Sequence, residues 1–242
     1  MKITEKTINQ IRDWIKNETE RAHANGVCIA ISGGIDSAVC AGLAKLAFPN
    51  NTDGIFFDID SSPQSLDNFK SIVKSLNINH KIINLKNSFN SILKDLNFIK
   101  ENDLVAQGNI KSRLRMNALY AYANIKNYLV IGTSNYSEIY LGYFTKWGDG
   151  AADIYPIAKF KKSEIYQLAS FFNLDQKVII QKPTADLWCG QTDEKELGFK
   201  YSDLERYFAN DANLDQKIIK KINTCHKNSE HKRSANLNSF NF

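Results

Sequence analysis

The feature that most restricts this chain is a short apolar run, Val27 to Ile31, that passes directly into Ser32-Gly33-Gly34-Ile35-Asp36-Ser37 and then into an Ala- and Leu-rich stretch ending at Ala47. The run reads as a buried strand and the stretch after it as a helix closed by Pro49. A strand, glycine turn and helix in succession place the unpaired amides of a helix N-terminus at the carboxyl edge of a sheet, where they favour an anion. Glycine lets the backbone approach that anion closely, and the hydroxyls of Ser32 and Ser37 add donors. The carboxylate of Asp36 would repel a phosphate unless a cation stood between them, which points to magnesium. Neither a G-x-x-x-x-G-K-[ST] loop nor a G-x-G-x-x-G fingerprint is present, so the cradle is of another kind. On their own the same residues also fit a capped turn in which Asp36 complements the helix dipole, worth roughly 0.3–1 kcal/mol.

The rest of the chain repeats the alternation. Ile8, Ile11, Trp14 and Ile15 recur at helical spacing over residues 5–16, before Gly26. Strands are expected at Gly54 to Ile59, His80 to Leu85 and Tyr128 to Ile131. Between them, Ser62 and Pro63 open a helix lined by Leu66, Phe69, Ile72, Val73 and Leu76. A short helix fits Ser88 to Leu96, and a long one fits Asn109 to Asn127 with Leu114, Ala118 and Ala121 inward. A later helix fits Ser163 to Phe172. Strands separated by helices call for an α/β fold: a doubly wound, mainly parallel sheet with helices on both faces, one domain over residues 1–242. Ligands of such sheets sit beyond the strands' carboxyl ends, where the turns after Ile31 and Ile131 fall. The stretches from Leu141 to Asp153 and from Lys182 to Gly198 read as loops at that edge, and the first 25 residues as an extra helix available for self-association.

Composition removes several classes. The aromatic and aliphatic content (14 Phe, 10 Tyr, 3 Trp) supports a core rather than disorder. No apolar run approaches the roughly 18 residues of a membrane span, and the N-terminus is too charged for a signal peptide, so a cytoplasmic location is expected. Cys28, Cys40, Cys189 and Cys225 show no C-x-x-C pairing, against structural zinc or a disulfide framework. The net charge of +5 suggests an anionic partner, but residues 217–233 carry it all, with six Lys or Arg against Glu230. A nucleic-acid binder should spread its basic residues over a broad face, so no nucleic acid and no membrane partner is expected.

Ala30-Ile31-Ser32-Gly33-Gly34-Ile35-Asp36-Ser37 resembles the S-G-G-x-D-S loop of the ATP pyrophosphatase superfamily, whose Rossmann-like, adenine nucleotide alpha hydrolase-like enzymes split ATP into AMP and pyrophosphate. Further motifs follow in one order. They are Gly108 to Met116, Gly132 to Glu138, Gly142 to Asp153, Lys182 to Trp188 and Glu230 to Arg233, and together they are similar to those of the ammonia-dependent NAD synthetases over essentially the whole chain. The resemblance implies a ligase that amidates deamido-NAD with ammonia at the expense of ATP, giving NAD, AMP and pyrophosphate through an NAD-adenylate, and a homodimer with substrate sites at the subunit contact.

By position it implies ATP contacts at Ala30, Ile31, Ser32, Gly33, Gly34, Ile35, Asp36, Ser37, Thr133, Lys162 and Thr184, and magnesium ligands at Asp36 and Glu138. It implies deamido-NAD contacts at Arg113, Lys146, Asp153, His231 and Lys232. The expected catalytic groups are Asp36, Asp153 and Lys162, with Asp153 accepting the ammonium proton. Ser134-Asn135-Tyr136 departs from the Asp-His-Ala common in that family. The glutamine-dependent enzymes add an amidase domain with a nucleophilic cysteine, for which this chain has no room, so free ammonia is the expected nitrogen donor. The competing readings are an ATP pyrophosphatase acting on tRNA or on another carboxylate, and a nucleotide-binding module without catalysis.

Overall fold

The computed structural model describes residues 2–188 and 190–233. Cys189 lies outside them. The chain opens with α1 (Glu5–Arg21), β1 (Gly26–Ala30), α2 (Ile35–Ala47), β2 (Thr52–Asp58), α3 (Pro63–Ser75) and β3 (Asn79–Asn84). Then come α4 (Lys86–Asp95), α5 (Leu104–Lys126), β4 (Tyr128–Ile131), α6 (Tyr136–Leu141) and α7 (Lys162–Ala169). The short α8 (Gln176–Ile179), α9 (Asp193–Leu197), α10 (Tyr201–Phe208), α11 (Gln216–Asn228) and α12 (Glu230–Arg233) complete it.

The four strands pair in parallel in the order β3-β2-β1-β4. The chain therefore leaves β1 toward β2 and later returns to pair β4 on its other side, which makes the carboxyl ends of β1 and β4 the switch point of the sheet. A parallel bridge between Ile131 and Ile154 extends the sheet beyond β4. Alternation along β1 decides the two layers. Val27, Ile29 and Ile31 pack with Ile8, Ile11 and Ile15 of α1, with α2, with Phe69 and Ile72 of α3 and with Ile165 and Leu168 of α7. Cys28 points to the other face and packs with Ile55, Phe57 and Val130 against Leu119 and Ala123 of α5. Burying each large side chain contributes about 1.5–3 kcal/mol. A smaller cluster of Leu141, Phe199, Tyr201, Leu204 and Ile222 joins α6, α10 and α11.

The doubly wound parallel architecture agrees with the sequence reading; most element bounds shift by at most three residues, α6, α10 and α11 are not part of that reading, and three further details differ. The apolar face of α1 is spent on α2 and the core, which leaves only Trp14, 38% exposed, outside it. That face is not free for self-association. Helix α5 starts at Leu104, and its buried positions are Gly108, Lys111, Ser112, Leu119 and Ala123, whereas Ala121 is exposed. The expected phase was off because the first half of the inward face is small and polar, turned toward the ligand edge, and apolar residues scatter around the other sides. The last residues of the expected loop from Lys182 to Gly198 form α9, ended by Gly198 in the left-handed region at φ 72°.

Candidate active site

A cavity of about 210 Å³ opens at the switch point, lined from β1 and α2 by Ala30, Ser32, Gly34, Ile35 and Asp36, and beyond β4 by Thr133, Ser134 and Glu138. Lys162 reaches it from the start of α7, residues 181–187 line it from the loop before α9, and Asp193 lines it from the first position of α9.

The turn after β1 is braced before any ligand arrives. Gly33 has φ +90°, and a Cβ there would fall 2.5 Å from the carbonyl oxygen of Ser65, so only glycine fits. Asn68, fully buried, donates to the Gly33 carbonyl at 3.2 Å. The Ser37 hydroxyl donates to the Gly34 carbonyl at 2.8 Å and accepts from the Ser32 amide at 3.2 Å. Helix α2 begins at Gly34 without a side-chain cap, so its first-turn amides remain as donors for an anion. Among the expected ATP contacts, Ile31 is a core side chain, and Ser37, 3% exposed, acts as a brace beneath the turn. The Thr184 hydroxyl donates to the Gln191 carbonyl at 2.8 Å and accepts from the Asp186 amide, so it shapes its own loop while lining the cavity.

Charge is concentrated opposite that turn. The Lys162 ammonium lies 2.5 Å from Oδ2 of Asp36 and 3.7 Å from Oε1 of Glu138, with its side chain 5% exposed. Burial pushes Glu138 well above the ordinary carboxylate range, reinforced by the negative charge of Asp36 and opposed by Lys162. Burial works against the Lys162 ammonium, but Asp36 and Glu138 outweigh it and hold its pKa above the usual lysine value. Asn135 joins the two carboxylates: its Nδ2 donates to Oδ1 of Asp36 at 2.8 Å, and it exchanges capping bonds with Glu138 at the start of α6. The triplet that departs from the resembled pattern thus supplies the residue that spaces the acidic pair.

Asp36 and Glu138 contact a single ammonium, and the 4%-exposed Asp193 lines the same cavity, an excess of acidic groups over cations that leaves room for a further positive charge. Among the described residues no three acidic, His or Cys side chains converge as a ready-made metal site. Asp36 and Glu138 would therefore leave most positions around magnesium to phosphate oxygens and water, as that ion prefers.

The residues expected to hold deamido-NAD form a second group, next to the cavity rather than in it. Nε of Arg113 donates to the Lys146 carbonyl at 3.2 Å, and Nζ of Lys146 donates to the His231 carbonyl at 2.7 Å. The Lys232 ammonium is held at 2.7 Å by the carbonyls of both Gly142 and Phe144. Gly142, at φ +65° with a would-be Cβ 2.1 Å from that of Ser229, lets the loop pass this close to the end of α11. Lys221 and Arg233 likewise bond backbone carbonyls, at Gly198 and Tyr140. Half of the basic segment is therefore a set of ties that fasten α11 and α12 to neighbouring loops, and Lys217, Lys220 and Lys227 make one exposed helix face.

Asp153 is apart from both groups. Its Oδ2 accepts from the Val130 amide at 2.7 Å and its Oδ1 from the Tyr120 hydroxyl at 3.1 Å, so the carboxylate braces the end of β4 and does not line the cavity. The aspartate of that loop that does line it is Asp149, whose Oδ1 accepts from the Ser112 hydroxyl at 2.6 Å and the Thr145 amide at 3.0 Å. Sequence reasoning also passed over Arg115, which lines the cavity and bonds the Phe57 carbonyl at 3.2 Å. It missed Tyr143 and Asp193 as well. Only the spacing of Ser112, Arg115 and Met116 on one side of α5 carried a signal for any of these, and the apolar phase chosen for that helix concealed it.

Comparison with known proteins follows the same outline. The family model described as NAD synthase matches residues 7–236. The NH3-dependent NAD(+) synthetase of Mycoplasma pneumoniae is 40% identical over 94% of this chain and 92% of its own. A solved NMN synthetase from Francisella tularensis superposes with a TM-score of 0.92 at 36% identity, covering 98% of both chains. The NH3-dependent NAD synthetase of Campylobacter jejuni superposes at 0.81 with 31% identity, over 96% of this chain and 97% of that one.

Proposed function

The chain belongs to the NAD synthase family, and from that premise we propose that it is a ligase that makes the amide of NAD from deamido-NAD, ATP and ammonia, releasing AMP and pyrophosphate. The observation that carries this reading is the junction at the switch point of a preformed phosphate turn, Ser32 to Ser37, with the buried set Asp36, Glu138 and Lys162.

A carboxylate is a poor acyl donor because its carbon is electron-rich and its oxygen leaves badly. Adenylation removes both obstacles. The nicotinate carboxylate attacks the α-phosphorus of ATP, and pyrophosphate departs toward the amides that open α2 and the ammonium of Lys162. These groups are in place before reaction, so they stabilise the developing charge without reorganising. Asp36 and Glu138 would hold magnesium, which supplies charge neutralisation on the leaving phosphate oxygens. Ammonia then attacks the acyl carbon of the adenylate and AMP leaves. The excess proton on nitrogen needs an acceptor, and Asp149 is the carboxylate of the 142–153 loop that faces the cavity.

Arg113, Lys146, His231 and Lys232 hold the far half of the dinucleotide on the outer side of that loop. The same reading makes the protein a cytoplasmic homodimer. Its support is the exposed apolar surface near that half: Leu104 and Val105 on the helix of Arg113, 43% and 64% exposed, and Trp147 beside Lys146 at 54%. Among the described residues no helix is long and apolar enough to cross a membrane.

The test is to mix the protein with ATP, magnesium, deamido-NAD and ammonium and to follow NAD and AMP together. Equal amounts of both are expected, and absence of NAD sinks the reading. ATP binding without turnover would instead mark a nucleotide-binding module. Nicotinate mononucleotide belongs in a parallel arm because of the close superposition on an NMN synthetase. A higher kcat/KM for the mononucleotide would move the substrate assignment while leaving the chemistry unchanged.

A further inference from the structure

The surroundings of Lys162 are asymmetric. On one side its ammonium is satisfied by Asp36 and approached by Glu138. On another stands Asp193, the first residue of α9, which lines the same cavity and is 4% exposed. Oδ2 of Asp193 accepts from the Tyr201 hydroxyl at 3.0 Å. Oδ1 is the single buried side-chain polar atom among the described residues with no partner at hydrogen-bonding geometry; the neighbouring hydroxyl of Tyr143 interacts with Asp193 but donates its proton to Glu196. Leaving a buried carboxylate oxygen unpaired is costly, so such an atom calls for a donor that arrives in another state of the site. The cation whose charge acts on Asp193 is Lys162, whose ammonium sits 5.3 Å from the centre of the Tyr201 ring that also anchors Asp193.

The two acidic partners of Lys162 are the residues that would hold magnesium. When a divalent cation takes them, the lysine loses its counter-charges at the moment a second positive charge arrives beside it. We propose that Asp193 is a positioning residue that receives the Lys162 ammonium on Oδ1 when Asp36 and Glu138 turn to the metal. The inference rests on the reading of Asp36 and Glu138 as magnesium ligands given above. The amide of Asp193 donates to the Pro183 carbonyl at 3.2 Å, next to Thr184. The handover therefore couples metal loading to the loop that lines the cavity opposite the turn after β1, and it keeps the lysine from competing with the metal for Asp36 and Glu138.

The experiment needs no turnover. Binding of Mn2+ is titrated by electron paramagnetic resonance in the presence of a non-hydrolysable ATP analogue, for the wild type, Asp193→Asn, Tyr201→Phe, Lys162→Met and the Lys162→Met/Asp193→Asn double variant. Asp193→Asn is expected to raise the half-saturating Mn2+ concentration about tenfold, because the lysine then keeps its hold on Asp36. Tyr201→Phe should stay within twofold, and in the Lys162→Met background the Asn substitution should add less than twofold. Asp193→Ser carries the same expectation and serves if Asn at 193 prevents folding. An unchanged Mn2+ requirement in Asp193→Asn, an equal effect of Tyr201→Phe, or an undiminished effect without Lys162 would each overturn the proposal. If the wild type with the analogue takes no Mn2+, the reading of Asp36 and Glu138 as metal ligands fails first and the inference goes with it.

Discussion

The side-chain amide of Asn135 donates to Oδ1 of Asp36 at 2.8 Å, across 99 positions of sequence. Its carbonyl oxygen accepts from the Glu138 amide at 3.0 Å, and its own amide donates to Oε2 of Glu138 at 3.1 Å. One neutral residue thereby sets the spacing of two carboxylates that stand beyond different strands.

Asn135→Ala removes a helix cap and the link to Asp36. The cap alone is worth about 0.5–2 kcal/mol, and at this chain length each kcal/mol lowers Tm by roughly 2–4 °C. Asn135→Ser keeps an acceptor for the cap but cannot reach Asp36. Thermal melts should therefore recover in the serine variant, while the magnesium concentration giving half-maximal NAD formation should stay raised several-fold in both.

Asp153→Asn should be mainly a stability variant. Asn keeps one acceptor for the Val130 amide but cannot accept as well from Tyr120, so a loss of about 1–3 kcal/mol is expected. The pH profile of kcat should remain that of the wild type, whereas Asp149→Asn should change it. A collapse of kcat in Asp153→Asn at unchanged Tm would restore Asp153 as the proton acceptor.

His231 and Lys232 are adjacent and should behave differently. The His231 side chain is exposed and engages the fold through its backbone carbonyl, so His231→Ala should raise KM for deamido-NAD far more than KM for ATP and leave Tm within about 1 °C, as surface substitutions usually do. Lys232→Ala also frees the Gly142 and Phe144 carbonyls and should lower Tm as well. Equal effects of both substitutions on the two substrates would indicate general electrostatics rather than a local contact.

Burial pushes the Cys28 thiol up to about 12 and the Cys40 thiol well above its ordinary value. At pH 8 a thiol of that kind is about one part in 10⁴ thiolate, so both should resist iodoacetamide in the native protein and react once it is unfolded. The sign of the linked stability follows. Above the ordinary thiol pKa the unfolded chain has released this proton and the folded chain has not, so each such thiol costs about 1.4 kcal/mol of stability per pH unit as pH rises toward 12. Alkaline melts of Cys28→Ala should show a shallower decline, and an identical slope would mean that this thiol does not contribute.

Much of the site was legible because its signals are local. The turn from Ser32 to Ser37 needs only its own backbone, two glycines and the strand and helix on either side, and Ser62-Pro63 opens α3 as their types dictate. Lys111 shows the limit: a basic residue on a helix reads as solvent-facing, yet its ammonium is buried over the Leu187 carbonyl at 2.9 Å. Asp153 shows the converse: a carboxylate that follows a motif reads as a ligand, and only the structure shows it taken up by the Val130 amide and the Tyr120 hydroxyl.

By itself the sequence determined the parallel α/β class, the glycine turn after β1 and the order of the motifs, because each depends on residues within a few positions or on the period of burial along one element. Only the tertiary structure decided the strand order, the pairing of Lys162 with Asp36 across 126 positions and the bare oxygen of Asp193. These depend on where separate elements meet, and Coulomb and hydrogen-bond energies fall off over a few ångströms of space whatever the distance along the chain.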